Sequence, residues 1–422
     1  MSSTEFRPYV TPSRGACASS PCRIAATAIG GALGFIVFVL SAYGVSEVRS
    51  IRRALNARPY LTLNHVVEGR RGASLYRGAG SWHDQRGLDR RAGSDFGVSD
   101  WQAVSGDHGK IYLFGGLDTT NPPNTLQETW EYDVIRQAYT RKANMTSPRS
   151  QFGAGALTDA STGRVTKIVI AAGLNAGAGV STSEFYNVAS DTFTSGPALM
   201  QGHLDGCMAS TGDAVYMIGG WTSDMYDSMS KKVEKLSRDV SSWSAVADLP
   251  HELGDCAAAG LNGKVYVAGG YYSDGTCEDC FQNHLFEYNP ATNTWTQKAS
   301  MKYRRGDLQL VAREGRLLAI GGEIAHVQSD GAVKDKVASH YVEEYIPEMD
   351  RWELRQPLGD ARFRFAAATS EWGTHVFGGS EVCATPTGNW SECFGYQLTS
   401  HEVYFELDHP NVWVNVDPAH EF

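Results

Sequence analysis

Eight charged or ionisable residues precede short small-residue segments of the chain, and these segments recur about every 50 residues. The eight are Arg149, His203, Asp205, His251, Asp255, Arg305, Asp307 and Arg364. Carboxylates accept hydrogen bonds and guanidinium groups donate them in pairs, so this set could hold a polar ligand such as a sugar or a peptide. The alternative is that these side chains pair with one another. The sequence carries no nucleophile and base motif, P-loop or dinucleotide fingerprint, and it indicates no metal and no cofactor.

The elements that must position these residues are marked by a glycine pair that follows a short apolar run. Six copies occur in order, although Ala172 replaces the first glycine of the second copy. The second glycines of the pairs are Gly116, Gly173, Gly220, Gly270, Gly322 and Gly379. A fixed period of about 50 residues is the signature of a repeat protein.

Downstream of each glycine pair, a tyrosine or leucine is followed by a second aromatic residue, seven positions later in the first five copies. These pairs are Tyr132 and Tyr139, Tyr186 and Phe193, Leu236 and Trp243, Tyr288 and Trp295, and Tyr345 and Trp352. In the sixth copy Trp413 follows Leu407 by six residues. Turn-forming residues separate the members of each pair, which predicts two short strands joined by a tight turn. With the small-residue segment and the apolar run, each repeat contains four predicted strands.

This pattern resembles the kelch repeat of β-propellers over residues 97–422. The resemblance implies an all-β fold with six blades around a central channel. The first strand is expected near Trp101, and the last strand is expected at Val412–Val416. Each blade would then contain its own four strands, so that no blade borrows a strand from the other end of the chain. Function is expected in the loops, because a propeller is a scaffold.

The resemblance also implies where the charged residues lie. In this fold the small-residue strand lines the channel, and the loop before it lies at one mouth. Asp205, Asp255 and Asp307 occupy similar register in successive repeats, so their carboxylates are expected to converge. Like charges that converge need compensation, which Arg149, Arg305 and Arg364, a bound cation or a ligand could supply.

Some relatives in the wider kelch group are enzymes. A copper oxidase site would need His and Tyr ligands at the mouth. His203 and His251 are available, each near a cysteine, but Tyr303 stands alone near a mouth strand, which disfavours this reading. A mutarotase or epimerase of sugar acids would need only a few charged mouth residues, so this alternative stays open.

The N-terminal part differs from the repeats in charge. Residues 1–96 hold 13 arginines, no lysine and 6 acidic residues, whereas the rest holds 24 basic and 41 acidic residues. The acidic propeller is therefore not expected to bind nucleic acid. Residues 1–23 form a polar tail, and residues 24–45 contain no charge and are long enough for a transmembrane helix. A cleaved signal ending near Ala42–Gly44 is the alternative, and residues 46–96 are expected to form a basic, Arg- and Gly-rich stalk.

Six propeller cysteines fall into three candidate disulfides, which would indicate an oxidising compartment. The candidate pairs are Cys383 with Cys393, Cys277 with Cys280, and Cys207 with Cys256. Asn144 and Asn389 stand in glycosylation sequons. The arginines that follow the apolar segment would by charge alone place the propeller in the cytosol, but the cysteines favour an extracellular or luminal location.

Three functions are compatible with these features. The first is a non-enzymatic, membrane-anchored recognition module that binds a protein or glycan through the loops at one mouth. The second is a sugar-processing enzyme of the mutarotase or epimerase type. The third is a cytosolic kelch adaptor, which is disfavoured because residues 1–96 leave no room for a recruiting domain.

Overall fold

The computed structural model describes residues 97–381 apart from the gaps 121–122, 176, 223–227, 273–279 and 328–332, together with residues 398 and 401–405. It also describes the backbone at 23–25, 39–41 and 81–84. The chain divides into two units, of which Arg77–Asp408 is one and Met1–Tyr76 with His409–Phe422 is the other.

Most of the predicted transmembrane helix 24–45 lies outside the described residues. Two short described segments that overlap it, β1 (Arg23–Ala25) and β2 (Val39–Ser41), pair as antiparallel strands. Within the described residues, no helix has the length and apolar character needed to cross a membrane.

The other unit contains six four-stranded antiparallel sheets, which we call blades one to six. Blade one has β4 (Gln102–Ser105), β5 (Lys110–Phe114), β6 (Thr129–Asp133) and β7 (Ala138–Arg141). Blade two has β8 (Gly153–Thr158), β9 (Val165–Ala171), β12 (Ser183–Asn187) and β13 (Thr192–Ser195), with β10 (Leu174–Asn175) and β11 (Ala178–Gly179) as an inserted hairpin. Blade three has β14 (Cys207–Ser210), β15 (Ala214–Ile218), β16 (Val233–Ser237) and β17 (Trp243–Ala245).

Blade four has β18 (Ala257–Leu261), β19 (Lys264–Ala268), β20 (Leu285–Asn289) and β21 (Thr294–Lys298). Blade five has β22 (Gln309–Arg313), β23 (Arg316–Ile320), β26 (Val342–Ile346) and β27 (Arg351–Leu354), with β24 (Glu323–Val327) and β25 (Val333–Ala338) as an inserted hairpin. A 3-10 helix (Pro347–Met349) joins β26 to β27. Blade six has β28 (Ala366–Ser370), β29 (Gly373–Phe377), β30 (His401–Phe405) and β3 (Ser81–Asp84). The six-bladed propeller predicted from the repeats is therefore confirmed.

The closure of the propeller differs from the prediction. The outer strand of blade six is β3, which pairs with β30 and places Trp82 opposite Tyr404. The expectation that no blade borrows a strand was wrong, and four residues of the predicted stalk belong to blade six. Tyr404 takes the anchor position that we assigned to Leu407. Both Leu407 and the expected last strand, Val412–Val416, lie outside the described residues.

The aromatic anchors lock neighbouring blades together. The indole Nε1 of Trp243, Trp295 and Trp352 donates to carbonyl oxygens of Pro197, Ala247 and Ala299, which follow the last strand of the preceding blade. Tyr186, Tyr288 and Tyr345 are buried and donate to a turn residue of their own hairpin, as Tyr288 donates to Asn293 Oδ1 at 2.8 Å. The same oxygen accepts the backbone N–H of Ala247 from the preceding blade. One turn residue thus fixes both the hairpin and the blade interface.

In every blade the longest insertions fall between the second and third strands. Because the second strand runs back toward the end where the first began, these insertions emerge at the same end of the channel as the charged loops.

Candidate functional site at one mouth of the channel

Six equivalent residues, each two positions before the first strand of its blade, form what we call the inner ring. They are Asp100, Gln151, Asp205, Asp255, Asp307 and Arg364. All six have left-handed backbone conformations, with φ between 48° and 55°. Backbone hydrogen bonds run from ring residue to ring residue, as from Asp255 N to Asp205 O at 3.0 Å and from Asp307 N to Asp255 O at 2.9 Å. The ring continues across the closure, where Asp100 N donates to Arg364 O at 2.8 Å.

The glycine pairs place this ring. In blade four, Gly270 N donates to the carbonyl oxygen of Arg305, two residues before the ring residue Asp307, at 2.8 Å. A Cβ on its neighbour Gly269 would lie 2.5 Å from the same oxygen. Only glycine permits this approach together with the φ of +62°. The repeat signature therefore holds the inner-ring loop of the following blade in place.

The inner ring concentrates negative charge. Asp205, Asp255 and Asp307 each bring one carboxylate oxygen within 4.8 Å of the others, which confirms that they converge. Arg364 Nε lies 3.0 Å from Asp307 Oδ2 and 3.7 Å from Asp100 Oδ1. Burial, followed by the charge of a neighbouring ring aspartate, raises the pKa of both Asp205 and Asp255 well above the usual range of a carboxyl. Burial likewise raises the pKa of Asp100.

A second set of equivalent residues, the outer ring, follows the glycine pairs directly. Its members are Leu117, Leu174, Trp221, Tyr271, Glu323 and Ser380. Each forms a backbone bridge with the residue just before an inner-ring residue, as Tyr271 does with Gly254. The outer ring and all inner-ring residues except Asp307 line a cavity of about 580 Å³ at the mouth, to which Lys336 also contributes. The floor of the cavity is acidic, and its wall is largely aliphatic and aromatic.

Glu323 is the acidic member of the outer ring. Its side chain is 2% exposed, its Oε1 has no hydrogen-bond partner among the described residues, and its Oε2 lies 4.0 Å from Lys336 Nζ. Burial raises the pKa of Glu323 to about 7, against the opposing effect of Lys336. Lys336 Nζ in turn lies 4.9 Å from the ring centroids of both Tyr271 and Phe281.

Three of the eight predicted site residues are buried in pairs inside their blades. Arg149 Nε lies 3.1 Å from Glu184 Oε1, and Arg305 Nη2 lies 3.0 Å from Glu343 Oε1. In blade three His203 takes the place of arginine, with Nε2 at 3.1 Å from Glu234 Oε1. The sequence analysis missed the fourth such pair, Arg362 with Glu402. None of Arg149, His203 and Arg305 lines the mouth cavity.

His251 lies outside the inner ring, in the loop before it. Its Nδ1 lies 2.8 Å from the carbonyl oxygen of Glu252, and its imidazole packs on Tyr272 at a centroid distance of 4.8 Å. Of the eight predicted residues, the structure therefore brings four together at the mouth, namely Asp205, Asp255, Asp307 and Arg364. Their binding of a ligand stays a prediction.

One predicted disulfide is confirmed. Cys207 bonds to Cys256 and so links blades three and four beside Asp205 and Asp255. Cys280 is also disulfide-bonded, while its predicted partner Cys277 lies outside the described residues, as do Cys383, Cys393 and the sequon residue Asn389. Asn144 is half-buried, and its glycosylation stays a prediction.

Comparison with known proteins agrees with this architecture. Residues 253–302 match the family model described as the kelch motif. The chain is a six-bladed β-propeller that is similar in sequence to kelch-repeat proteins. Human kelch-like protein 23 is 25% identical over 245 residues, which is 58% of this chain and 39% of that protein. The N-acetylneuraminate epimerase of Pasteurella multocida (strain Pm70) is 31% identical over 147 residues, 34% of this chain and 37% of the epimerase.

A solved structure, that of YjhT, superposes on this propeller with a TM-score of 0.56 at 13% identity, covering 68% of this chain and 92% of that one. This likeness concerns the fold. The match to kelch-like protein 36 of Bos taurus covers 45% of this chain and 29% of that protein, so the matched stretches span well under half the length of these curated relatives.

Proposed function

We propose that this propeller is a recognition module that binds a partner protein, or a glycan carried by one, in the mouth cavity. The observation that carries the proposal is the cavity of about 580 Å³, whose two concentric rings combine an apolar wall with a few convergent polar groups. The insertions of all six blades emerge at this end of the channel, and such loops can add contact area around the cavity.

A sugar-processing enzyme is the alternative, since one relative is an N-acetylneuraminate epimerase. The charge of the site argues against it. N-acetylneuraminate is an anion, whereas the inner ring presents four carboxylates and one guanidinium, which is held by Asp307. We therefore expect no turnover of N-acetylneuraminate, measured by following its anomers by NMR.

The disulfides at Cys207 and Cys280 support an extracellular or luminal location, because disulfides persist in oxidising compartments. Protease protection in sealed membranes would test this location. Membrane anchoring through residues 24–45 stays a prediction.

Selection of peptides from a random display library on the full-length protein tests the mouth as the binding site. We expect selected peptides to lose at least 10-fold in affinity for Leu174→Arg, because the new side chain would occupy the cavity beside the outer ring. The matched control is Leu354→Arg, since Leu354 is 50% exposed on the outer strand β27. The control should bind as the wild type does.

Binding measured by biolayer interferometry on the three proteins decides the outcome. Peptides that bind Leu174→Arg and wild type equally would place recognition elsewhere on the propeller and overturn the proposal.

A further inference from the structure

The charges of the mouth cavity are unevenly compensated. Arg364 forms ion pairs with Asp307 and Asp100, and Lys336 Nζ lies 4.0 Å from Glu323 Oε2. The carboxylates of Asp205 and Asp255 form no hydrogen bond and no ion pair with any described residue. These two adjacent carboxylates, which line the cavity, therefore have no ion-pair partner among the described residues, and the charge of Arg364 acts on them only from a longer distance.

Glu323 gives a second and independent indication. It stands on the wall rather than the floor, it is nearly fully buried, and its Oε1 accepts no hydrogen bond from any residue that the structure describes. A buried carboxylate oxygen that lacks a donor carries a free-energy cost, which a donor supplied by a ligand would remove. Glu323 lines the same cavity as Asp205 and Asp255, so three carboxyl residues from the two rings border one space.

The wall is suited to the stem of a long basic side chain. Trp221 and Tyr271 lie next to each other, with ring centroids 6.5 Å apart, and Leu117 and Leu174 complete the apolar wall. Lysine and arginine bury their methylene stems on apolar surface while the charged head reaches a polar partner, and their cations are attracted to aromatic faces. In this cavity Lys336 already lies over Tyr271.

We propose that the mouth cavity binds a lysine or arginine side chain projected by the partner protein. The cationic head would lie at Asp205 and Asp255, within reach of Glu323, and the stem would pack on Trp221 and Tyr271. This inference rests on the proposed function and specifies the chemistry of the partner.

A divalent metal ion is the other cation that the carboxylates suggest, since Asp205, Asp255 and Asp307 come within 4.8 Å of one another. Arg364 disfavours it, because its guanidinium lies 3.0 Å from Asp307 and would stand beside the ion. A metal ion bound to the three aspartates would also make no use of the apolar wall or of Glu323.

The direct test uses capped amino acids as probes of the full-length protein, measured by NMR titration. N-acetyl-arginine amide is expected to bind at least 10-fold more tightly than N-acetyl-citrulline amide, which has nearly the same shape and no charge. Asp255→Asn should remove that preference. Glu371→Gln is the matched control, because Glu371 is exposed in the turn between β28 and β29, at the opposite end of the channel, and its replacement changes the net charge equally.

The affinity for the arginine probe should rise as the pH increases from about 5.5 to about 8. The groups that face the bound head are Asp100, Asp205, Asp255, Asp307, Glu323, Lys336 and Arg364. Burial raises the pKa of Asp205, Asp255 and Glu323, so a rising pH ionises carboxyls that the cation needs. Asp255→Asn should flatten this profile.

Equal binding of the citrulline and arginine probes, no binding of either, or an unchanged preference in Asp255→Asn would overturn the inference. So would tight, Asp255-dependent binding of calcium chloride that excludes the arginine probe, since this outcome assigns the carboxylates to a metal. Selected peptides could lose affinity for Leu174→Arg and yet contain no basic residue. That result would be compatible with the proposed function and would refute only the inference that the cavity binds a lysine or arginine side chain.

Discussion

Replacing Arg305 with alanine is expected to lower the free energy of unfolding by about 3–5 kcal/mol, the usual effect of leaving one member of a buried ion pair without its partner. Arg305 is fully buried and donates to Glu343 and to the carbonyl oxygens of Gly321 and Tyr341, both at 2.8 Å. After the substitution Glu343, which is 1% exposed, would retain its charge without a cationic partner. Chemical denaturation followed by circular dichroism measures the change.

Arg304→Ala is the matched control, because Arg304 is the exposed neighbour of Arg305 and its loss should change stability by less than about 0.5 kcal/mol. The repeats themselves suggest a rescue. Blade four has Leu253 and Phe286 where blade five has Arg305 and Glu343. The double variant Arg305→Leu/Glu343→Phe should therefore recover most of the lost stability, since apolar replacement of a whole buried pair is often neutral. A mild effect of Arg305→Ala, or a double variant as unstable as the single one, would contradict this account.

Most of the fold could be predicted from residues that act locally. The glycine pairs recur because the second glycine makes the same backbone contact in five of the six blades, and the aromatic anchors recur because they pack between neighbouring blades, so six copies predict six blades. The outer strand of blade six could not be predicted this way. The seven-residue spacing of the anchors reflects a tight hairpin, but Tyr404 pairs with Trp82 from the other end of the chain. No spacing along the sequence records a pairing between two distant segments.

The site could be predicted only in part. Asp205, Asp255 and Asp307 occupy the same position in successive repeats. Because the blades are arranged around one channel, equivalent positions bring the three carboxylates close together. Arg149, His203 and Arg305 stand two residues before the inner ring, where the left-handed turn directs them into the blade rather than the channel.

The sequence did contain a signal for the glutamates that pair with Arg149, His203, Arg305 and Arg362. A glutamate stands two residues before the tyrosine or leucine anchor in the four blades that have an arginine or histidine at this place, namely Glu184, Glu234, Glu343 and Glu402. The outer ring was also recognisable as the residues that directly follow the glycine pairs. The role of the outer ring as the wall of a cavity could not be predicted from the sequence, because the cavity forms only when the six blades are assembled.

The double variant Asp205→Asn/Asp255→Asn is expected to be more stable than the wild type by about 2 kcal/mol at pH 8, within the range of effects that buried polar changes produce. Burial and the neighbouring aspartates raise the pKa of both carboxyls in the folded protein. A carboxyl whose pKa is raised on folding contributes stability that is fully present below its unfolded pKa of about 3.9 and is lost as the pH rises through its folded pKa. Asparagine has nearly the same shape as aspartate and carries no charge, so the variant does not lose stability as the pH rises.

The difference between the variant and the wild type should therefore be small near pH 4 and grow toward pH 8, as followed by the thermal unfolding midpoint across that range. Glu371→Gln removes an exposed charge at the other end of the channel and should leave the midpoint close to that of the wild type at every pH. A double variant that is less stable than the wild type at pH 8 would mean that the two carboxylates support the fold, for example by accepting hydrogen bonds that asparagine cannot replace. A gain in stability accompanied by loss of binding to the arginine probe would instead show that Asp205 and Asp255 lower the stability of the fold and serve to bind a ligand. Carboxylates that only destabilise the fold have no structural reason to stand together at one mouth.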